Sequence, residues 1–273
     1  MRLDRLRFRP SRALILLHRW LGVAFCLLFA LWFASGIVMH FVPYPSFTAA
    51  DRHAGLAPID LAQVKARPAE AFAASRIGKT ARVRLTQRSD GPIYLILGSS
   101  RTVTLHAADL SEATVKSAEL ARAIASDYAL RRQWDAAAVS IAALQDYDQW
   151  TLSPELDRYR PLYSVALNDS SDTDLYISKT TGEVVLATTH RQRAWNYAGS
   201  VAHWIYLTAL RSHPAAWSRL VWWLSLFALI GAALGACVGI LQIERRGSRL
   251  VSPYAGLEYD PARRRTAPRS AND

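Results

Sequence analysis

Residues 13–42 read ALILLHRWLGVAFCLLFALWFASGIVMHFV. Apart from His18, Arg19 and His40, every side chain in this stretch is apolar or small. About 20 residues cross the hydrocarbon of a bilayer, so the run spans it with a turn or two to spare. A secretory leader has an apolar core of roughly 7–15 residues. This run is far longer and reads as an uncleaved anchor. Pro43 and Pro45 end the helix where it leaves the membrane. A second run, WSRLVWWLSLFALIGAALGACVGILQ at 217–242, stops at Glu244-Arg245-Arg246. Trp204, Tyr206, Trp217, Trp222 and Trp223 crowd its start, as interfacial aromatic belts do.

The charge falls outside these runs. Residues 1–12 carry five Arg against one Asp, and the tail after Gln242 carries seven Arg against four acids. The region 43–216 is nearly balanced, with 19 Lys/Arg and 17 Asp/Glu. A sequence pI near 10.0 would suit a nucleic-acid binder, but basic residues gathered beside apolar runs follow the positive-inside rule instead. The expected topology has both termini cytoplasmic and the central region on the periplasmic side of a bacterial inner membrane. The expected partner is the lipid bilayer, with no nucleic acid.

Between the runs, two stretches resemble each other. The first places short alternating strands at 82–85, 92–97 and 102–105, and the second at 161–167, 174–178 and 181–185. Thr181-Gly182 reads as a tight turn. A helical stretch precedes each set, at 61–75 and at 117–130. The expected unit is one helix laid on a small antiparallel sheet, present twice, hiding one sheet face and leaving the other surface free. The fold class is therefore α+β: two transmembrane helices flanking an extracytoplasmic domain. The expected boundaries are 1–12 for the basic N-terminus, 13–42 for the first span, and 43–194 for the domain, with units at about 58–110 and 115–188. An interfacial amphipathic segment at 195–216, a second span at 217–243 and an unstructured basic tail at 244–273 complete the chain.

The two cysteines, Cys26 and Cys237, lie inside the apolar runs, so the domain has no internal disulfide and no thiolate metal site. Asn168, Asp169, Asp172 and Asp174 sit in a hairpin loop whose spacing fits no standard calcium loop; a solvated turn is expected. There is no Gly-x-Ser-x-Gly elbow, phosphate-binding loop, His-Glu-x-x-His or dinucleotide fingerprint. No catalytic residue and no metal ligand is assigned.

Several segments resemble a known family. His18-Arg19-Trp20-Leu21-Gly22 opening an apolar helix, then Ser35-Gly36 and Pro43, looks like the first helix of PepSY-associated transmembrane proteins. Leu175-Tyr176-Ile177-Ser178 followed by Thr181-Gly182-Glu183-Val184 resembles a PepSY domain. Arg193-Ala194-Trp195-Asn196-Tyr197, His203-Trp204-Ile205-Tyr206 and Val221-Trp222-Trp223-Leu224-Ser225 are similar to the same group. The resemblance implies a non-enzymatic module that binds or regulates a periplasmic protein or peptide. Larger membrane relatives resemble ferric-siderophore reductases, which implies the alternative of a b-type haem-binding electron-transfer component linked to iron. With two spans this chain departs from them, unless a homodimer or a larger membrane complex supplies the rest. A purely structural subunit is a third reading.

Three of the seven histidines are candidate haem ligands: His18, His40 and His203. His18 and His40 stand about 33 Å apart along one helix face, too far to share one haem. Gly22, Gly36 and Gly199 lie about one turn from His18, His40 and His203, and a glycine there lets a flat group approach the backbone. His40 facing His203 is the expected pair, with His18 lacking a partner within one chain. The glycines at 231, 235 and 239 form a flat helix face that serves either packing against the first helix or room for a cofactor. His53, His106, His190 and His213 read as surface or loop residues.

Overall fold

The computed structural model describes residues 12–78, 82–136, 139–242, 244–246 and 249–251. The first helix, α1 (Arg12–Phe41), and the last, α8 (Pro214–Gln242), are each long and apolar enough to cross a membrane. Their large side chains face outward, as Leu27, Phe33 and Leu229 do, whereas a core helix would bury them. Antiparallel sheets lie between the two helices in sequence. The chain divides into two compact units: one joins the first part of α1, up to Leu31, to residues from Ala215 onward, and the other is Trp32–Pro214.

The Trp32–Pro214 unit begins with the last turns of α1, a short helix α2 (Ala49–Ala54) and α3 (Pro68–Ser75). Strands β1 (Arg82–Arg88), β2 (Gly91–Leu97) and β3 (Thr102–His106) form a three-stranded antiparallel meander. The central strand, β2, buries side chains on both faces. Tyr94 and Ile96 pack with Ala71 of α3, while Ile93 and Leu95 meet Ala113. Two-sided burial explains why β2 reads as a continuous apolar run.

Helix α4 (Ala118–Arg131) starts at Ser117, whose hydroxyl accepts from Leu120 N. It covers one face of a four-stranded sheet ordered β4 (Ser140–Gln145), β5 (Leu162–Ala166), β6 (Asp174–Ser178), β7 (Val184–Thr188). Tyr163, Val165, Leu175 and Ile177 meet Ala121, Ile124 and Tyr128 there. Burying a side chain of this size contributes about 1.5–3 kcal/mol.

The structure departs from the sequence expectations in four places. Pro68 breaks the stretch expected as one helix at 61–75, leaving a single 3₁₀ turn at Leu61–Gln63 and then α3. Strand β4 was not anticipated. The face expected to stay free is covered in both sheets: Ile93 and Leu95 of the first meet Ala113, and Leu162, Tyr176, Val185 and Leu186 of the second pack under Trp150, Leu156 and Val201. The tail, expected to lack structure, pairs β8 (Glu244–Arg246) with β9 (Arg249–Val251); its remaining residues lie outside the described ones.

The two sheets are tied directly. Val115 N donates to Lys179 O at 2.7 Å, Thr104 Oγ1 donates to Thr180 O at 2.8 Å, and Arg84 pairs with Glu183. Residues 43–57 form a strap past β7, whose outer edge would otherwise be open. Phe47 of the strap packs into the clusters on both faces of the sheet. Tyr128 Oη donates to Asp51 O at 2.7 Å, and Gly55 lies flat beneath the Tyr128 ring.

Candidate functional site

The sequence brings His203 to the end of α1 through a local irregularity. Helix α5 (His190–Asn196) is capped by Thr189, and runs through a π-helical turn, Tyr197–Val201, into the single turn α6 (Ala202–Trp204). Such turns re-aim side chains and recur at functional sites. Gly199 permits the approach to α1: a methyl there would stand 3.1 Å from Val38 Cγ1. Asn196 Nδ2 donates to Pro43 O at 3.1 Å and fixes the start of the same contact. Ile205, in the left-handed region at φ 53°, ends the run, and the single turn α7 (Thr208–Arg211) follows.

His203 then lies against α1. Its Nδ1 is 3.1 Å from the carbonyl oxygen of Trp32 and 3.1 Å from Ser35 Oγ. A carbonyl only accepts, so Nδ1 carries the proton and Nε2 keeps its lone pair. Nε2 has no hydrogen bond among the described residues. Gly36 lies beside the ring, with a methyl at that position 3.5 Å from His203 Cε1. The glycine that was expected to admit a flat group next to His40 thus borders His203 first.

A shallow groove of about 400 Å³ opens here, lined by Trp32, Phe33, Gly36, Ile37, His40, Phe41 and His203. The structure therefore brings two of the expected site residues, His40 and His203, to one groove. Its lining is otherwise apolar. The His40 ring meets Phe41 edge-on at 5.1 Å between centroids and is exposed. No family model, no curated protein and no solved structure matches this chain. The site is therefore read from its own chemistry. An imidazole with its Nδ1 proton engaged and Nε2 free, beside a second imidazole in an apolar groove, is a donor set that fits a b-type haem.

His18 belongs to the other unit. Its Nδ1 lies 3.2 Å from Gly231 O, and a methyl on Gly235 would stand 2.6 Å from its Cε1. The space that Gly235 leaves is filled by the His18 ring. Gly231 faces Leu21, whereas a methyl on Gly22 or Gly239 would meet nothing within 4 Å. Part of the glycine face therefore seats α1 side chains.

The remaining expected positions are structural. Asp169 accepts from Thr173 N at 2.7 Å and from Thr173 Oγ1 at 2.8 Å, while Asp172 and Asp174 both pair with Arg193. Burial raises the Asp174 carboxyl above its ordinary value despite the nearby guanidinium. His190 lies 3.5 Å from Asp172, and His106 3.8 Å from Asp90. No cluster of metal-ligating side chains occurs among the described residues.

Sequence reasoning missed Gln149. Its Nε2 donates to Tyr206 O at 2.5 Å, while Oε1 accepts from Thr208 Oγ1 at 3.0 Å. Tyr44 Oη donates to Gln149 O at 2.8 Å. One residue thus holds the domain to the segment that carries His203. A lone glutamine between Asp148 and Trp150 gives no pattern by which to find it.

Proposed function

We propose that this chain is a two-span membrane protein whose central domain is a PepSY-like, non-enzymatic binding or regulatory platform. On this reading the domain stands on the periplasmic side of a bacterial inner membrane, with both termini cytoplasmic. The observation that supports it is the joining of two helix-on-sheet units by main-chain bonds such as Val115 N to Lys179 O. Two sheets fixed to one another give a rigid surface of the kind that recognises a partner without reordering. The exposed apolar side chains Leu61 and Leu130, 73% and 74% accessible, are contact positions on that surface. The test is a photo-crosslinking amino acid at either position in the full chain in native membranes. Repeated capture of one periplasmic protein supports the reading; a capture pattern identical to that of an unrelated anchored domain sinks it.

A second reading is favoured by the groove that His40 and His203 share. In it the two imidazoles hold a b-type haem at the end of the first span, which supplies one-electron chemistry when bound. Trp32 O and Ser35 fix the tautomer and orientation of His203, and Phe33, Ile37 and Phe41 give the groove an apolar lining. An absorption spectrum of protein from haem-replete cells tests this. Sharp reduced α and β bands that vanish in His40→Ala and His203→Ala, and persist in His18→Ala, support it. A featureless spectrum ends it.

A further inference from the structure

On the covered face of the four-stranded sheet, a cleft of about 450 Å³ opens between the strap and the 150–159 segment. Tyr44, Phe47, Trp150 and Leu156 form an aromatic and apolar wall. Arg52 and Arg158 line the cleft against one carboxylate, Glu155. Neither arginine is in an ion pair among the described residues; Arg158 instead lies over the Tyr159 ring at 5.5 Å. The lining of the cleft thus combines an excess of positive charge, two arginines to one carboxylate, with a wall suited to hydrocarbon.

Its place along the chain supplies the second observation. Tyr44 lies three residues past Phe41, where α1 ends, so at most about 10 Å of extended chain separates them. The headgroup layer is roughly 5–8 Å thick on each side of the hydrocarbon. If α1 spans the bilayer, the cleft opens at the level of the headgroups. Trp150 also stacks edge-on against Tyr197, two residues before Gly199, which touches Val38 and Met39 of α1. The aromatic wall is therefore continuous with the helix end.

We propose that this cleft holds the headgroup of an anionic phospholipid from the leaflet in which α1 ends, with the phosphate at Arg52 and Arg158 and the start of the acyl chains against Tyr44, Phe47 and Trp150. The inference rests on the membrane reading of α1. An acidic peptide would meet the same arginines, but the cleft's depth and its aromatic wall favour a molecule that already occupies that layer.

The experiment is native mass spectrometry of the full chain, purified in detergent and offered equal amounts of phosphatidylglycerol and phosphatidylcholine. Each arginine at a membrane surface favours an anionic lipid by about fivefold. Retained phosphatidylglycerol should outnumber phosphatidylcholine by at least that factor, and the Arg52→Gln/Arg158→Gln double variant should bring the ratio close to one. Arg131→Gln, which removes a positive charge outside the lining of the cleft, should leave it unchanged. Equal retention by the wild-type protein, or an undiminished preference in a double variant that melts like wild type, overturns the proposal. So does equal protection against thermal unfolding by inorganic phosphate or by an Asp/Glu-rich hexapeptide, since the occupant would then be a soluble anion. Recovery of the chain in the carbonate-soluble fraction would remove the membrane reading itself, an outcome separate from a membrane-bound protein without lipid preference.

Discussion

His203 Nδ1 lies 3.1 Å from the main-chain oxygen of Trp32, across 171 residues of chain. This bond ties the segment following the domain to the helix preceding it. Replacing His203 with Phe removes the donor and leaves the Ser35 hydroxyl with one partner fewer. The expected cost is about 1–2 kcal/mol, and Ser35→Ala should cost less than half of it. Thermal unfolding of the full chain in detergent measures both; a His203→Phe protein melting with wild type would contradict the role assigned to this bond.

The glycines of α8 should differ sharply from one another. A methyl at Gly235 meets the His18 ring at 2.6 Å, so Gly235→Ala should destabilise by about 1–3 kcal/mol. Gly239→Ala adds a methyl where nothing stands within 4 Å and should be neutral. Melting curves of the two variants decide the matter, and equal effects would show that His18 does not occupy that seat.

The strap should depend on steric fit at Gly55. Its φ of −99° is open to any residue, so backbone conformation does not require glycine. A methyl there, however, would stand 2.1 Å from the Tyr128 ring. Gly55→Ala should therefore loosen residues 43–57. Phe47→Ala should do so at about 3 kcal/mol by emptying a wedge shared by two clusters. Limited proteolysis should cut both variants between 43 and 57 faster than wild type. Burial holds the Tyr128 hydroxyl up at about 12, so it stays a donor to Asp51 O throughout the physiological range.

Asp174 predicts a pH dependence of definite sign. Burial, the largest cause, raises its folded-state value above 3.8, and Arg193 only partly offsets this. The folded protein therefore binds a proton more readily than the unfolded chain between these two values. Stability from this group is present below about 3.8 and declines as pH rises through the folded value. Asp174→Asn should lack that decline. Comparing melting temperatures of the two proteins between the acid range and neutrality measures it; parallel profiles would refute it.

The ends of the fold were legible because each terminal helix is one long, predominantly apolar run, the strongest signal a chain offers. The meander β1–β3 and the hairpin β5–β6 were legible from alternation and turn residues, and Ser117 marked the start of α4. Strand β4 was hidden because Ser140-Ile141-Ala142-Ala143-Leu144-Gln145 is rich in alanine, which favours no strand. The covered second face was hidden because its cover comes from Trp150, Leu156 and Val201, brought there only by tertiary contact. At the candidate site, the placement of His40 and His203 on one groove followed from topology. The filling of Gly235 by His18, and the role of Gln149, could not be read from spacing, since each depends on which residue a neighbouring segment presents.

The bond from Val115 to Lys179, with the ties at Thr104 and Arg84, bears on how the domain comes apart. Two similar units joined by a flexible linker would melt in two steps, each with its own midpoint. Here the connecting segment is itself hydrogen-bonded to the turn between β6 and β7, so neither sheet can open without exposing backbone groups of the other. The two sheets are in this way not independent: damage to one should be felt by the other, and heating should remove both in one transition.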